Sequence, residues 1–512
     1  MFFRLPVVRF FNRVINRATV TVALVLLQIG WLLWAFFSLT AGKVWVNAGL
    51  NVLSLFITLY LVRKDENSDY KIIWLVLIGM MPLLGGALYL AFGNKAPAKR
   101  MRQRMQAVER RHTADLAQQP GQTDALDPAS RGLSRYVSEY GPYPAWKNST
   151  AKYYPCGEAM YPDLLADLEK AERFIFLEFF IVRTGKMWKG VEDILVRKAA
   201  QGVDVRLIYD DFGSLLGLPS DFVVKMERAH IRCIPFNPVV PLVSLVMNHR
   251  DHRKIVVVDG NTAYTGGINL ADEYINQHER FGHWKDSVIL LEGDAVWSMA
   301  VMFLSMWDHC CGWEEEFDRF RPAPSPARPW TGYVQPYTDT PLDQEPVGQS
   351  VYLNMIAKAR KYIYITTPYL VIDVATNTAL CNAAKSGVDV RIITPHIPDK
   401  RYVFEVTRAH YPPLLKAGVK IYEYTPGFIH AKNFVVDDRF AVVGTVNLDY
   451  RSLFLHFEDG VWLCEAPCIH DIRADFEATL KVCERISLRK HRRLNPLVQL
   501  YRNILRVFAP LM

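Results

Sequence analysis

The sequence predicts an α/β protein made of two duplicated α/β domains that share one active site, preceded by N-terminal membrane helices. Three observations lead to this prediction. A motif with a histidine, a lysine, an aspartate and an asparagine occurs twice with identical spacing. Helix-like and strand-like segments alternate around each copy, which is typical of parallel strands covered by helices. Long apolar runs fill residues 1–95, and each is long enough to cross a bilayer.

Length, charge and cysteine content set the first limits. The chain has 512 residues, which exceeds one typical domain and suggests two or three. Its net charge of +8 is unevenly spread, which suits a surface that faces anionic lipid or nucleic acid. None of the eight cysteines forms a CxxC pair, so we expect reduced, partly buried thiols and no metal site at Cys464 and Cys468.

The N-terminal region, residues 1–95, has the pattern of a membrane domain. It contains three apolar runs of bilayer-crossing length: residues 19–41, 44–62 and 72–92. A signal peptide would have a shorter apolar core, and buried helices of a soluble domain would not follow one another so closely. Because Pro82 and the pair Gly85-Gly86 interrupt the third run, we expect two full spans and a third element that is kinked, re-entrant or interfacial.

Basic residues predict how the chain is oriented. Arginines before residue 18 and a larger basic cluster after residue 94 both favour the cytoplasm, and the larger excess places the catalytic part inside the cell. Residues 96–150 are interpreted as a juxtamembrane helix and a linker. Residues 485–512 form a basic amphipathic tail, which can lie on an anionic membrane or pack back on the protein.

Residues 151–320 and 346–484 carry the same alternation of segments. The phrase Gly-Val-Asp-Val-Arg recurs after Gln201 and after Ser386. A duplicated pair of α/β domains accounts for the repeat, and the proline-rich residues 321–345 are interpreted as the connector. The predicted elements are a helix at 161–171, a strand at 174–180, a helix at 191–201 and a strand at 203–209, and then a helix at 351–359, a strand at 362–367, a helix at 376–386 and a strand at 388–394.

The motif places an imidazole and an ammonium group on one side of a strand. His252 and Lys254 stand directly before an apolar run, and residues two apart on a strand face the same side. Neutral imidazole is a nucleophile near pH 7, and a lysine binds phosphate oxygens as a point charge. The motif asparagine can donate its amide to the same oxygens.

Two copies that face each other would form one site. One histidine would attack phosphorus, and the other would handle the proton of the leaving group. The alternative, a satisfied strand histidine beside a surface lysine, does not account for two complete copies. The predicted catalytic residues are His252, Lys254, Asp259, His430, Lys432 and Asp437, and the predicted phosphate-binding residues are Asn269 and Asn447.

Three further residues are candidates for supporting roles. Glu178 and Tyr369 lie at or near equivalent strand ends in the two halves, where parallel sheets expose ligand-binding crevices. Asp211, together with Asp210, closes the next strand of the first half. For each of them a role as a cap or a turn residue remains the alternative.

The paired motifs resemble the HxKx4D motifs of the phospholipase D superfamily. The stretch Met81-Pro-Leu-Leu-Gly-Gly-Ala-Leu-Tyr-Leu-Ala-Phe-Gly resembles the N-terminal hydrophobic element of bacterial cardiolipin synthases, as do Asn248-His-Arg-Asp-His-Arg-Lys and Gly444-Thr-Val-Asn-Leu-Asp-Tyr-Arg-Ser. The resemblance implies two phospholipase D-like α/β sandwich domains. It also implies a multi-pass enzyme of the bacterial inner membrane that joins two phosphatidylglycerol molecules, giving cardiolipin and glycerol.

By this resemblance, one motif histidine forms a phosphatidyl-histidine intermediate and the other moves the protons. We assign the nucleophile to His252 and the acid-base role to His430, and the reverse assignment stays open. Glu458 matches an acidic residue that the superfamily places after the motif asparagine, and Asp286 is its candidate counterpart. Each carboxylate would orient an imidazole. We expect no metal and no cofactor, because two lysines can stabilise the charge.

The first motif departs from the superfamily pattern at one position. It has Gly266-Gly267 where many members have Gly-Ser, whereas the second half has a hydroxyl at Thr445. The first half therefore lacks one possible hydrogen bond near the phosphate.

Other functions of the superfamily remain open at this point. A hydrolytic phospholipase D or another phosphatidyltransferase would use the same residues. A nuclease would need no apolar runs, and a membrane scaffold would be expected to lack a motif histidine or lysine. The expected partners are phosphatidylglycerol, cardiolipin and an anionic bilayer rather than nucleic acid, and an oligomer is possible.

Overall fold

The structure is a computed structural model, and it divides the chain into two compact units. Residues 1–98 and 237–249 belong to the first unit, and residues 99–236 and 250–510 belong to the second. The described residues are 26, 30, 34, 44–64, 67–81, 85–86, 88–89, 99–112, 116, 121–239, 249–312, 315–322, 331–343, 345–489 and 495–511.

Two helices of the first unit, α1 (Val44–Arg63) and α2 (Ser68–Met80), pack against each other. Asn67 caps α2, because its side chain accepts a hydrogen bond from the N–H of Asp69 at 3.0 Å. Apolar side chains of both helices are buried together, namely Leu61, Ile73, Trp74 and Ile78. The second predicted apolar run thus forms α1, and the beginning of the third forms part of α2.

Much of the predicted membrane region lies outside the described residues. This applies to the run at 19–41 except for residues 26, 30 and 34, and it also applies to Pro82 and to residues 90–98. Within the described part of the chain, no helix combines the length and the apolar character needed to cross a membrane.

The second unit contains two mixed sheets, one in each half of the chain. The strands of the first half are β1 (Ser149–Tyr154), β2 (Phe174–Phe179), β3 (Asp204–Asp210), β4 (Arg232–Phe236), β5 (Arg250–Asp251), β6 (Lys254–Val258), β7 (Thr262–Gly266), β8 (His283–Lys285) and β9 (Val288–Gly293). Those of the second half are β10 (Tyr333–Asp339), β11 (Tyr362–Thr366), β12 (Asp389–Pro395), β13 (Lys420–Tyr424), β14 (Gly427–Ile429), β15 (Asn433–Val436), β16 (Phe440–Gly444), β17 (His456–Cys464) and β18 (Cys483–Arg485).

The two sheets have the same strand order. The first runs β1-β9-β7-β6-β2-β3-β4, and the second runs β10-β17-β16-β15-β11-β12-β13 with β18 added at its edge. Strands β2, β3 and β4 are parallel, as are β11, β12 and β13, in agreement with the predicted alternation. The strands that follow the motif histidines, β6 and β15, pair antiparallel to β2 and β11. The order itself therefore shows the duplication.

Helices accompany both sheets, and two of them lie in residues 96–150, which were predicted to form a juxtamembrane helix and a linker. The helices of the second unit are α3 (Lys99–His112), α4 (Pro128–Tyr140), α5 (Gly157–Glu169), α6 (Lys186–Ala200), α7 (Asp211–Ser214), α8 (Phe222–Arg228), α9 (Val296–Cys311), α10 (Val347–Lys358), α11 (Val374–Lys385), α12 (Arg401–Ala417), α13 (Tyr450–Phe454), α14 (Ile469–Leu480) and α15 (Pro496–Phe508). Residues 96–150 are thus partly folded: Leu133 and Val137 of α4 join a core cluster with Val351 of the second half.

One hydrophobic core joins the two halves. It contains Phe176 and Val257 from the first sheet and Val435 and Val443 from the second. Helix α9 contributes Phe303 to the same cluster and is buried along nearly its whole length. Burial of this apolar surface holds the halves together in the second unit.

Two short strand pairs also cross between the halves. β5, which leads into the first motif, pairs with the start of β17, and β14, which leads into the second motif, pairs with β8. The backbone N–H of His252 then donates to the carbonyl of Phe457 at 2.9 Å, and that of His430 donates to the carbonyl of Lys285 at 2.7 Å. Each motif histidine is therefore fixed by backbone of the opposite half.

Candidate active site

The two motif histidines and lysines are buried side chains at the start of corresponding strands. His252 and His430 are each 7 % exposed, and Lys254 and Lys432 are 2 % and 1 % exposed. Lys254 donates through Nζ to the carbonyl of His252 at 2.5 Å, and Lys432 donates to the carbonyl of His430. Each lysine side chain thus turns back toward the histidine of its own motif. This is possible because residues two apart on a strand lie on the same face.

Each imidazole is hydrogen-bonded to a carboxylate of the other half. Nδ1 of His252 lies 2.9 Å from Oε2 of Glu458, and Nδ1 of His430 lies 2.6 Å from Oδ2 of Asp286. A carboxylate accepts hydrogen bonds, so Nδ1 carries the proton and the lone pair of each neutral ring lies on Nε2. Nζ of Lys432 also lies 2.9 Å from Nδ1 of His430, but with that nitrogen protonated it donates to the His430 carbonyl instead. The structure thereby gives both rings the tautomer that a nucleophile or a base requires.

Burial keeps both imidazoles neutral. It lowers the pKa of His252 to about 3 and the pKa of His430 to about 4, and the neighbouring lysine charges act in the same direction. Burial acts to raise the pKa of Asp286, but its interaction and hydrogen bond with His430 and the charge of Lys432 outweigh it and hold that pKa below its usual value. An ionised carboxylate next to a neutral ring preserves the Nδ1–H hydrogen bond.

The charges of the two motifs act on each other. The charge of Lys254, in the first half, contributes to lowering the pKa of His430 and that of Lys432 in the second. Burial is the largest cause in both cases, and it also lowers the pKa of Lys254 to about 8. Each motif histidine is also bonded to a carboxylate of the other half, so both motifs contribute to one cluster, where an anion would relieve the repulsion between the two ammonium groups.

The two motif asparagines differ in how they are bonded. Oδ1 of Asn269 accepts from the N–H of Ile181 at 2.9 Å, and its Nδ2 donates to the hydroxyl of Tyr274 at 2.7 Å. Asn447 is 4 % exposed, and its Oδ1 has no hydrogen-bond partner among the described residues. The side chain of Asn269 is therefore held by hydrogen bonds at both ends, whereas the side-chain oxygen of Asn447 has none among the described residues.

The motif aspartates are not part of this cluster, and the catalytic assignment of Asp259 and Asp437 is corrected. Both follow the far ends of β6 and β15 and adopt positive φ values of 52° and 56°. Asp259 accepts three backbone N–H bonds at 2.8 Å from residues 172–174, and Asp437 accepts three at 2.6–2.8 Å from residues 360–362. Each aspartate ties the motif hairpin to the start of the neighbouring strand.

Thr445 and Gly267 occupy equivalent positions beside the two orienting carboxylates. The hydroxyl of Thr445 donates to Oε2 of Glu458 at 2.5 Å, which places it behind the carboxylate. At Gly267, a Cβ atom would lie 1.9 Å from Oδ1 of Asp286. At one histidine, the carboxylate of Glu458 lies beside the hydroxyl of Thr445. At the other, the carboxylate of Asp286 fills the space that a side chain at position 267 would need, which explains why a glycine stands there in place of serine.

The remaining predicted residues lie around the site. Glu178 is fully buried and pairs with Arg253, the residue after His252, at 2.5 Å. The hydroxyl of Tyr369 donates to Asp399 at 2.6 Å. Tyr369 also packs against two of the core clusters of the second unit.

Asp211 begins α7, but the cap of that helix is its neighbour. Asp210 accepts hydrogen bonds from the N–H groups of Phe212 and Gly213, each at 2.9 Å. Asp211 itself is 6 % exposed. Of the two adjacent aspartates, Asp210 is therefore the helix cap that the sequence analysis gave as the alternative to a functional role.

His456 is a third histidine in this site, and the motif analysis missed it. Its ring centroid lies 5.5 Å from that of His252, and its Nδ1 lies 3.7 Å from Oε1 of Glu458. It stands two residues before Glu458 on β17, so the period of a strand could have revealed it. Aromatic rings complete the wall of the site: Phe180 beside His252, and Tyr274 and Trp284 beside His430.

Two family models match the chain. The model described as "Cardiolipin synthase, PLD-like domain" matches residues 164–297 and 352–480, and the one described as "Phospholipase_D-nuclease N-terminal" matches residues 49–94. The first covers both halves of the second unit, including His252, Lys254, His430 and Lys432.

Full-length relatives agree with the family models. The cardiolipin synthase of Geobacillus kaustophilus is 34 % identical over 97 % of this chain and 100 % of its own. Cardiolipin synthase 2 of Bacillus cereus is 34 % identical over 84 % of this chain and 86 % of its own, and an uncharacterized protein of Streptococcus mutans is 42 % identical over 89 % and 99 %. The crystal structure of phosphatidylserine synthase from Haemophilus influenzae shares the fold, with a TM-score of 0.55, 13 % identity and coverage of 75 % and 98 %.

Substitution of Gly267 by serine is expected to destabilise the protein through Asp286. The new Cβ would collide with the carboxylate, and overpacking of this kind costs about 1–3 kcal/mol. Denaturant unfolding of Gly267→Ser measures the loss, with Gly132→Ser on α4 as the control because a Cβ there meets nothing within 4 Å.

A double-mutant cycle identifies the cause of that loss. Asp286→Ala removes the colliding atoms, so the cost of Gly267→Ser should shrink in this background. An equal cost with and without Asp286 would show that the carboxylate does not exclude the side chain.

Proposed function

The chain belongs to the bacterial cardiolipin synthases of the phospholipase D superfamily, and we propose that it transfers a phosphatidyl group between two phosphatidylglycerol molecules, giving cardiolipin and glycerol. The observation that carries the proposal is the pair of neutral imidazoles, each anchored at Nδ1 by a carboxylate of the opposite half. Two lysines beside them supply positive charge for one phosphodiester.

In the first step, Nε2 of His252 attacks the phosphorus of the donor lipid. The P–N bond forms as the bond from phosphorus to the glycerol oxygen breaks, and protonated His430 gives its Nε2 proton to that oxygen. The donor phosphate brings negative charge next to His430, which favours the protonated form needed at this stage. Glu458 then stabilises the positive charge that the His252 ring acquires.

In the second step, the acceptor lipid replaces glycerol. Neutral His430 takes the proton of the primary hydroxyl of a second phosphatidylglycerol, whose oxygen attacks phosphorus as the P–N bond to His252 breaks. His252 returns to its neutral form, and His430 is again protonated. Lys254, Lys432 and the amide of Asn447 hold the phosphoryl oxygens through both steps.

Substitution of either histidine is expected to abolish synthesis, but with different intermediates. His252→Ala removes the nucleophile and should give no lipid-protein adduct, whereas His430→Ala should allow a phosphatidyl adduct on His252 to be trapped. Mass spectrometry of the lipids and of the intact protein, after incubation with phosphatidylglycerol vesicles, measures both. His470→Ala, at a histidine whose side chain is 69 % exposed, is the control.

The same assay separates this proposal from its alternatives. Free glycerol with cardiolipin indicates transfer, whereas phosphatidic acid with glycerol indicates a hydrolytic phospholipase D. Undiminished synthesis by His252→Ala or His430→Ala would contradict the mechanism.

Substrate binding is expected to weaken in alkaline solution because Lys432 loses its proton. Burial, together with the charge of Lys254, lowers the pKa of Lys432 to about 7. Above that pH the ammonium group becomes neutral and binds phosphate less well, so the affinity for phosphatidylglycerol, measured as 1/KM, should decrease as pH rises past about 7. In Lys432→Arg, which stays charged, the decrease should begin only near the pKa of Lys254, at about 8. The same alkaline profile in both proteins would contradict the assignment.

We further propose that residues 1–95 anchor the enzyme as a multi-pass segment of the bacterial inner membrane, with the second unit on the cytoplasmic side. The three apolar runs and the basic excess after them support this placement. The N-terminal family model, which spans residues 49–94, covers most of the second run and all of the third.

Helix α15 supports a second contact with the bilayer. Arg502, 5 % exposed, faces the protein and pairs with Glu405 of α12 at 2.6 Å, so a charged residue lies on the inner side of the helix. Leu505 packs on a buried cluster formed by Val371, Val406, Tyr450 and Ala509, and Tyr369 packs against the same cluster. The outward side exposes large apolar residues: Leu497, Leu500, Tyr501, Ile504 and Phe508.

This arrangement suits an anionic membrane surface. The apolar stripe would enter the headgroup boundary, and the exposed Arg485, Arg489 and Arg506 would meet anionic lipid. Because Leu505 of α15 and Tyr369 pack against the same cluster, the membrane surface would lie near the site that handles the lipid.

A photo-reactive residue at position 504 is expected to label lipid. The full chain in phosphatidylglycerol bilayers would carry the probe in place of Ile504, and a control would carry it in place of Val196, which is 37 % exposed on α6. Lipid adducts at 504 and not at 196 support the docking face. Equal labelling at both positions, or none at 504, would contradict it.

A further inference from the structure

Three side chains of the site form a cluster that the transfer reaction does not use as a group. His456 and Glu458 lie two residues apart on β17, and His252 comes from the other half. One potential ligand atom of each lies within 4.8 Å of the other two, the kind of grouping that holds a metal ion.

His456 has no role in the proposed reaction and no hydrogen-bond partner among the described residues at either ring nitrogen. Its side chain is only 10 % exposed. Buried ring nitrogens without a hydrogen bond are costly, and a ligand that bonds to one of them would remove part of that cost.

The distances are close to those of a tetrahedral metal centre. Nδ1 of His252 lies 2.9 and 3.0 Å from the two carboxylate oxygens of Glu458, and Nδ1 of His456 lies 3.7 Å from one of them. Zinc bonds to nitrogen and oxygen of about 2.0–2.1 Å set ligand atoms about 3.3 Å apart. Small side-chain movements would therefore close the site around an ion.

We propose that His252, His456 and Glu458 form an inhibitory site for Zn²⁺ or a similar divalent transition metal, a regulation that rests on the proposed function of His252. Imidazole and carboxylate are suitable ligands for such ions, and water would complete the coordination. The positive charges of Lys254 and Lys432 oppose a second cation here, so the ion binds reversibly rather than as a permanent part of the fold.

Metal binding would switch off the nucleophile through a change of tautomer. The ion forms a bond to Nδ1 of His252 and loses one of its waters. The proton that Nδ1 carries in the free protein moves to Nε2, so that the ring stays neutral. Nε2 then has no lone pair with which to attack phosphorus.

Cobalt absorption tests the site without any reliance on activity. Co²⁺ in a tetrahedral site of nitrogen and oxygen ligands gives a visible absorption band, which would be titrated into the purified full chain. The band should appear in the wild-type protein and in His410→Gln, which replaces another buried histidine, at 3 % exposure on α12. It should be lost in His456→Gln. A band that persists in His456→Gln, or no band in the wild-type protein, would overturn the proposal.

Inhibition by Zn²⁺ then tests the regulation. Each protein is compared with its own rate in the presence of a chelator. The concentration for half-inhibition should rise at least about tenfold in His456→Gln and stay the same in His410→Gln. Equal inhibition of both would overturn the regulatory claim. A cobalt band in a chain that makes no cardiolipin would instead show that the metal site stands and the proposed function fails.

Discussion

The hydrogen bond between a buried imidazole and a carboxylate of the opposite half is the interaction on which the site depends. Without it, the Nδ1 atoms of His252 and His430 would be buried polar atoms with no acidic partner, and their tautomers would not be fixed. Glu458 and Asp286 remove both problems at once. Neither half alone contains a complete set of groups, so the chemistry requires the packed pair.

The crossing carboxylates are positioned by backbone rather than by chance contact. β5 pairs with β17 two residues before Glu458, and β14 pairs with β8 just before Asp286. The same strand pairs hold the backbone N–H of each histidine. In each case one short strand pair fixes both the histidine and its carboxylate. This explains how hydrogen bonds of 2.6–2.9 Å form between residues far apart in the chain.

Local sequence patterns were enough to predict the duplicated fold and the motif residues. They could not predict contacts that depend on the pairing of strands from different halves. The repeated spacing predicted the duplicated fold, and the family comparison confirms the resemblance. Spacing alone did not show that Glu458 serves His252, because strand partners from different halves leave no local signal. Asp259 was assigned to catalysis as a member of the motif. Its turn, with positive φ and three backbone hydrogen bonds, became visible only in the folded chain. The hydroxyl of Thr445 was expected near the phosphate, whereas it bonds to Glu458.

The two orienting carboxylates have different neighbours, Thr445 beside Glu458 and Gly267 beside Asp286, and this difference has a consequence for how the two halves can change in evolution. In a symmetric assembly of two identical halves, any change beside one histidine would be copied beside the other, and both rings would keep the same properties. Joining the halves in one polypeptide removes that restriction. The glutamate with its threonine and the aspartate with its glycine are what this freedom permits: two imidazoles in equivalent positions of a duplicated fold, each with its own surroundings that can change independently of the other.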